Sequence, residues 1–139
     1  MKIQNIIIGL LGITFMSFTH NEEAISCILE KAETFIGTPY KYGGSTEKGF
    51  DCSGFVQASF KGIYDLPRNT KAQNKIGKTI PFNQRMEGDL IFFNTRSTCS
   101  HVGIVTKNGF IHASTSQGVI ISPMSEYWRK RIHSVKRVL

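Results

Sequence analysis

The chain has 139 residues, with 17 Lys and Arg against 10 Asp and Glu and a formal charge of +7. That length suits one domain and leaves little room for a second. With 40% apolar residues, 10 Phe among them, the chain is not a wholly disordered basic tail, and three cysteines cannot make a disulfide framework, which needs an even set.

The charge is uneven. Residues 1–19 carry Lys2 alone, residues 20–51 net to −3, and residues 52–109 and 110–139 net to +5 and +4. The basic balance calls for an anionic partner. Nucleic acid is not the expected one: no run of bases exceeds Arg129-Lys130-Arg131, and no zinc finger or recognition motif is present.

Met1-Lys2 precede an apolar stretch from Ile3 to Phe18. This is the order of a secretory signal, a positive start followed by a short apolar core and small residues. The stretch is shorter than the roughly 20 apolar residues of a membrane-spanning helix. Residues 1–19 are therefore expected to be a signal peptide, and residues 20–139 an exported domain of the periplasm or cell envelope. Ser17 and Thr19 are small enough to precede a cleavage point, although no A-x-A stands there. Cys27 behind Ala24-Ile25-Ser26 distantly resembles a lipoprotein site. It sits too far past the apolar stretch, behind Glu22-Glu23, for lipid anchoring to be the favoured reading.

The spacing of Ile25, Ile28, Leu29, Ala32, Phe35 and Ile36 predicts an amphipathic helix over 22–36, capped by Asn21 and stopped by Gly37 and Pro39. A turn-rich loop, Pro39 to Asp51, follows. Phe55, Val56, Phe60 and Ile63 return to helical spacing over 52–63, and Thr70 is placed to cap a short helix through Ile76. From Asp89 the pattern becomes strands, at Leu90–Phe93, His101–Thr106, Phe110–Ser114 and Val119–Ser122. Asn108-Gly109 is a two-residue hairpin signal. A helical turn within Pro123–Arg131 and a closing strand over Ile132–Leu139 complete the chain. Helices first and antiparallel strands afterwards predict an α+β fold.

Cys52 follows the glycine-rich loop and begins the second helix. Free N–H groups and the helix dipole favour negative charge there, which predicts a stabilised thiolate. A cysteine nucleophile needs a base, and the base an orienting group. His101 and His112 lie on the two strands flanking Asn108-Gly109. With those two residues as the loop, Val105 opposes His112 and His101 opposes Ser116, so both imidazoles share one face. Their offset of about 13 Å along the strand is too long for a hydrogen bond, so the histidines touch only if the register shifts.

At this point several linked motifs resemble one family. Gly37-Thr38-Pro39-Tyr40-Lys41-Tyr42-Gly43-Gly44 and Phe50-Asp51-Cys52-Ser53-Gly54-Phe55-Val56-Gln57 are similar to the opening motif of the NlpC-type (NlpC/p-sixty) cell-wall cysteine peptidases. Leu66-Pro67-Arg68, Gly88-Asp89-Leu90-Ile91-Phe92-Phe93, Ser100-His101-Val102-Gly103-Ile104 and Phe110-Ile111-His112-Ala113-Ser114 follow in the family's order. The stretch from His112 through Gly118-Val119-Ile120-Ile121-Ser122 to Tyr127-Trp128-Arg129-Lys130-Arg131 looks like its murein endopeptidase branch. The resemblance covers about residues 28–139.

The resemblance implies a papain-like α+β fold, with N-terminal helices packed on a central antiparallel sheet and the cysteine at a helix N-terminus. It implies Cys52 as nucleophile, His101 as base, and His112 as the third group that accepts a hydrogen bond from His101. It implies Tyr40 at the oxyanion site, with Asp51 and Ser53 lining the substrate cleft; read locally, Asp51 also suits a helix cap and Ser53 is simply small. The substrate class it implies is peptidoglycan stem peptides, cut at γ-D-Glu–diaminopimelate or at D-Ala–diaminopimelate cross-links, the C-terminal similarity favouring the second. No cofactor is expected, and the expected state is a monomer associated with the envelope through its positive charge.

Two rival readings differ in class. Cys52, Cys99, His101 and His112 offer four zinc-type ligands, but without a CxxC pair the spacing argues against a metal site. A non-catalytic wall-binding module is disfavoured because all three catalytic positions are filled.

Overall fold

The computed structural model describes residues 8–139. Residues 1–7 of the expected signal peptide lie outside the described residues, as do the side chains of residues 8–19. The backbone from Ile8 to Thr34 is one helix, α1, so Asn21 lies inside it and caps nothing. Among the described residues no helix is long and apolar enough to cross a membrane.

A small hairpin, β1 (Ser45–Thr46) with β2 (Gly49–Phe50), leads into α2 (Cys52–Phe60). Asp51 caps α2: its Oδ1 accepts from the Gly54 N–H at 2.7 Å, satisfying one of the donors a helix start leaves over. Helix α3 (Thr70–Gln73) is capped by Asn69, whose Oδ1 accepts from the Ala72 N–H. Thr70 is therefore the first residue of the helix and not its cap, and its hydroxyl is free for another use. Strand β3 (Lys78–Ile80) and a 3-10 turn at Phe82–Gln84 have no counterpart in the sequence reading. They are too short and too exposed to carry a periodic signal.

The main sheet then forms from β4 (Leu90–Phe93), β5 (His101–Thr106), β6 (Gly109–Ser114), β7 (Gly118–Ser122) and β8 (Ile132–Arg137). Its order is β3-β8-β4-β5-β6-β7 and all its pairings are antiparallel. A short helix, α4 (Glu126–Arg129), stands between β7 and β8. Helices preceding an antiparallel sheet make this the expected α+β fold.

Alternation along the strands divides the interior in two. Leu90, Phe92, Val102, Ile104, Ile111 and Ala113 face α1 and α2, where they join Ile28, Phe55 and Cys52. Phe35, Phe50 and Phe55 tie the end of α1, β2 and the start of α2 together edge-to-face, with centroids 4.9 to 6.3 Å apart. Each such pair contributes roughly 0.5–1.5 kcal/mol beyond its buried area. The opposite face, with Ile91, Phe93, Val105, Phe110 and Val135, is covered by Trp128 of α4 and by Phe82.

Candidate active site

Cys52 stands first in α2, a few hydrogen-bond lengths from where β5 begins. Its Sγ lies 3.4 Å from Thr70 Oγ1 and 3.9 Å from the Ser100 carbonyl oxygen. Gly54, next but one, has a steric reason: a Cβ there would run into the Gly44 carbonyl of the preceding loop. The thiol is buried, and burial pushes its pKa up; the Thr70 hydroxyl and the N–H groups of Val102 and Ser53 pull the other way, and the Asp51 charge adds to the rise. The helix N-terminus expected to favour a thiolate is present, and loss of solvent opposes it.

His101 and His112 lie on the sheet face turned away from α1 and α2. The hairpin register brings them together. Ile104 pairs with Ile111, Val105 with Phe110 and Thr106 with Gly109, so the two turn residues are Lys107-Asn108 and not Asn108-Gly109. Sliding the turn by one residue halves the expected offset between the rings. Carried one step further, this register sets Gly103 opposite His112, and His101 becomes a diagonal neighbour within reach of a ring.

The result is a chain of contacts. His101 Nε2 and His112 Nδ1 are 2.8 Å apart, and His112 Nε2 is 2.8 Å from Ser122 Oγ. One assignment of protons satisfies every member: His101 Nε2–H donates to His112 Nδ1, and His112 Nε2–H donates to Ser122 Oγ. It leaves His101 Nδ1 as a proton acceptor. Trp128 stacks on His101, centroids 5.7 Å apart and planes at 25°, and meets His112 edge-on. Buried so, His101 is pushed down to about 4, and His112 to about 3 with a further push from His101. Both rings are neutral at ordinary pH.

Cys52 thus comes from the helix side of the sheet and His101 from the other, and they approach at the start of β5. No Sγ–imidazole hydrogen bond is present among the described residues. Tyr40 packs against the core cluster that holds Cys52. Its hydroxyl is pushed up by burial and by the charges of Cys52 and Asp51, so it remains a donor. Asp51 and Ser53 share one partner that sequence reading did not single out, Arg68. Its guanidinium grips both Asp51 oxygens at 2.9 Å, reaches Ser53 Oγ at 3.0 Å and donates to the Gly44 carbonyl at 3.1 Å. Thr70 and Ser122 were likewise missed, because nothing in local spacing ties them to Cys52 or His112.

Among the described residues no three His, Cys, Asp or Glu side chains are placed to hold a metal ion. Cys27 is exposed on α1, whereas Cys99 is buried in the Cys52 cluster.

Known proteins give the same picture. The model of the NlpC/P60 family matches residues 37–137. The murein DD-endopeptidase MepS/murein LD-carboxypeptidase of Escherichia coli K12 is 45% identical over 129 residues, covering 90% of this chain and 69% of that protein. The probable endopeptidase NlpC of the same organism is 44% identical over 120 residues, 82% of this chain and 78% of that one. Among solved structures, the peptidoglycan hydrolase RipB of Mycobacterium tuberculosis superposes with a TM-score of 0.76 at 27% identity, covering 87% of this chain and 67% of that chain.

Proposed function

This chain belongs to the NlpC/P60 family, and on that premise we propose that it is a cysteine peptidase that hydrolyses peptide bonds in peptidoglycan stem peptides or cross-links, with Cys52 as nucleophile, His101 as general base and His112 as orienting group. The observation that carries the roles is the relay from His101 through His112 to Ser122, set beside a buried cysteine at a helix N-terminus.

The steps follow from which atoms are free. His101 Nδ1 takes the Cys52 proton as the sulfur attacks the carbonyl carbon, and His112 fixes the tautomer that leaves Nδ1 able to do so. The oxyanion is held by the Cys52 N–H, which a first helical position leaves without an intrahelical carbonyl, and by the Tyr40 hydroxyl. His101 then returns its proton to the leaving amine, giving a thioester. In the second half it draws a proton from water, whose oxygen releases the acid and restores the thiol. Asp51 and Ser53, braced by Arg68, form the polar wall beside the nucleophile and bind the polar stem peptide.

We propose further that residues 1–19 direct export and are removed, and that the +6 charge left once Lys2 is gone holds the domain near the anionic envelope; N-terminal sequencing of the mature protein and salt-dependent sedimentation with sacculi test these in turn. For the hydrolase itself, the test is mass spectrometry of muropeptides incubated with wild type and with Cys52→Ala. Products only from wild type are expected, and identical digests would sink the reading. Loss of cross-linked dimers, against cutting within monomer stems, names the bond.

A further inference from the structure

Beyond the histidines the cleft continues. A cavity of about 370 Å³ runs from His101 and His112 past Ser114 and Gln117 to Arg96, with Tyr127 and Trp128 as a wall. Cys52, Asp51, Ser53 and Arg68 do not line it. It therefore belongs to the side of the reaction served by the imidazole. His101 must reach the leaving amine to protonate it, so the residue that carries this amine occupies the cavity.

Arg96 is the one side chain of this lining with a formal charge, because burial holds both histidines neutral. It is exposed, and among the described residues no carboxylate pairs with it and no hydrogen bond occupies its guanidinium. Its charge is felt at the Tyr40 hydroxyl, whose pKa it lowers against the rise caused by burial, Cys52 and Asp51.

The loop that carries Arg96 is fixed to the strand that carries His101. Ser100 Oγ lies 3.0 to 3.3 Å from the N–H groups of Thr95, Arg96 and Ser97 and donates to the Ser97 carbonyl at 2.8 Å. Cys99 holds a left-handed backbone, φ 49°, and donates its N–H to Asn94 Oδ1 at 2.7 Å. A guanidinium on so tethered a backbone is partly pre-positioned, which lowers the ordering cost of binding an anion.

We propose that Arg96 recognises a free carboxylate on the carbon that bears the leaving amine. A guanidinium fork matches a carboxylate in geometry as well as charge. The inference rests on the endopeptidase reading above and sharpens it, because murein bonds differ in this group. In a D-Ala–diaminopimelate cross-link the leaving amine sits on a centre that also carries a free carboxylate. A terminal D-Ala leaves with the same pair of groups. In a γ-D-Glu–diaminopimelate bond of a longer stem, the carboxylate beside the amine is already tied up in the next amide. Arg96 therefore favours the first two over the third.

The test compares wild type, Arg96→Gln and Arg96→Lys on synthetic D-Ala–diaminopimelate amides whose adjacent carboxylate is either free or a carboxamide. A γ-D-Glu–diaminopimelate–D-Ala peptide and a tetrapeptide ending in D-Ala complete the set. Wild type is expected to prefer the free acid roughly tenfold or more, the scale of one charge-assisted hydrogen bond. Arg96→Gln should lose that preference, mainly through KM, its rate on the free acid falling far more than its rate on the carboxamide; Arg96→Lys should retain part of it. Arg96-dependent release of terminal D-Ala supports the same recognition with the other leaving group. Equal cutting of acid and carboxamide by wild type, an equal fall of both rates in Arg96→Gln, or preferred and Arg96-independent cutting of the γ-D-Glu bond overturns the inference and leaves the hydrolase reading intact. Failure of wild type to cut any of the four peptides, matching Cys52→Ala, overturns both.

Discussion

His101 and His112 are hydrogen-bonded, Nε2 to Nδ1 at 2.8 Å, across a place on the sheet where the intervening residue, Gly103, has no side chain. An added Cβ would stand 3.1 Å from the Cβ of His112 and 2.9 Å from the Ile111 carbonyl oxygen and Phe110 Cδ2. Gly103→Ala should therefore push His112 off His101 while leaving both histidines in the chain. Overpacking of this kind costs about 1–3 kcal/mol of stability, and a misplacement of this order lowers kcat roughly a hundredfold. Urea titration and steady-state kinetics on one preparation check it, and unchanged kcat would show that the His–His contact does not matter to the rate.

Thr70 is expected to act on the sulfur and not on the fold at large. Thr70→Val keeps the shape and removes the hydroxyl 3.4 Å from Cys52 Sγ. That hydroxyl lowers the thiol pKa against burial, so the variant should ionise less readily. Iodoacetamide labelling of Cys52 near neutral pH should slow roughly tenfold, the worth of a hydrogen bond to a charged group. Thr70→Ser should restore it. Equal labelling of Thr70→Val and wild type is the contrary result.

Acid should weaken the fold in a window set by the buried histidines. Each folds with its pKa pushed down, His101 to about 4 and His112 to about 3 from 6.5. Between those limits the unfolded chain binds more protons, so stability rises with pH and falls on acidification. It is fully present above about 6.5 and lost progressively down to about 4 for His101 and about 3 for His112, by about 1.4 kcal/mol per pH unit for each histidine. Urea midpoints from pH 7 to pH 4.5 should trace this slope, and His112→Asn should flatten it. Activity should behave differently: a base that stays neutral to about 4 puts the acid limb of kcat/KM well below the ordinary histidine range.

Asp51 joins a helix cap to the proposed substrate wall, and two substitutions separate these. Asp51→Asn keeps an oxygen for the Gly54 N–H but weakens the grip of Arg68; Asp51→Ala loses both. Asp51→Ala should cost about 1 kcal/mol more than Asp51→Asn, the usual worth of a cap. Both should raise KM by similar factors. If the two variants unfold at the same urea concentration, the cap contributes nothing.

The β4–β7 strands, α2 and the separation of helices from sheet are legible in the sequence, because periodicity reports one-sided burial directly. The turn is the instructive failure. Asn108-Gly109 carries the strongest short hairpin signal in the chain, yet the turn is one residue earlier. Gly109 serves another neighbour: at φ 153° it brings β6 so close to β7 that a Cβ would strike the Ser122 carbonyl. A glycine needed for strand packing reads from sequence like one needed for a turn. Arg68, Thr70 and Ser122 reach the site from 16, 18 and 10 positions away from Cys52 or His112, and no local pattern encodes such meetings. The balance at the Cys52 sulfur is hidden for a related reason: a helix start is visible in sequence, but the solvent lost around it is not.

Cys52 and His101 belong to opposite sides of one sheet, each embedded in its own apolar cluster. The proposed site therefore depends on packing at both faces: α2 docked on one supplies Cys52, and α4 closed over the other seats Trp128 on His101, so loosening either face should cost activity.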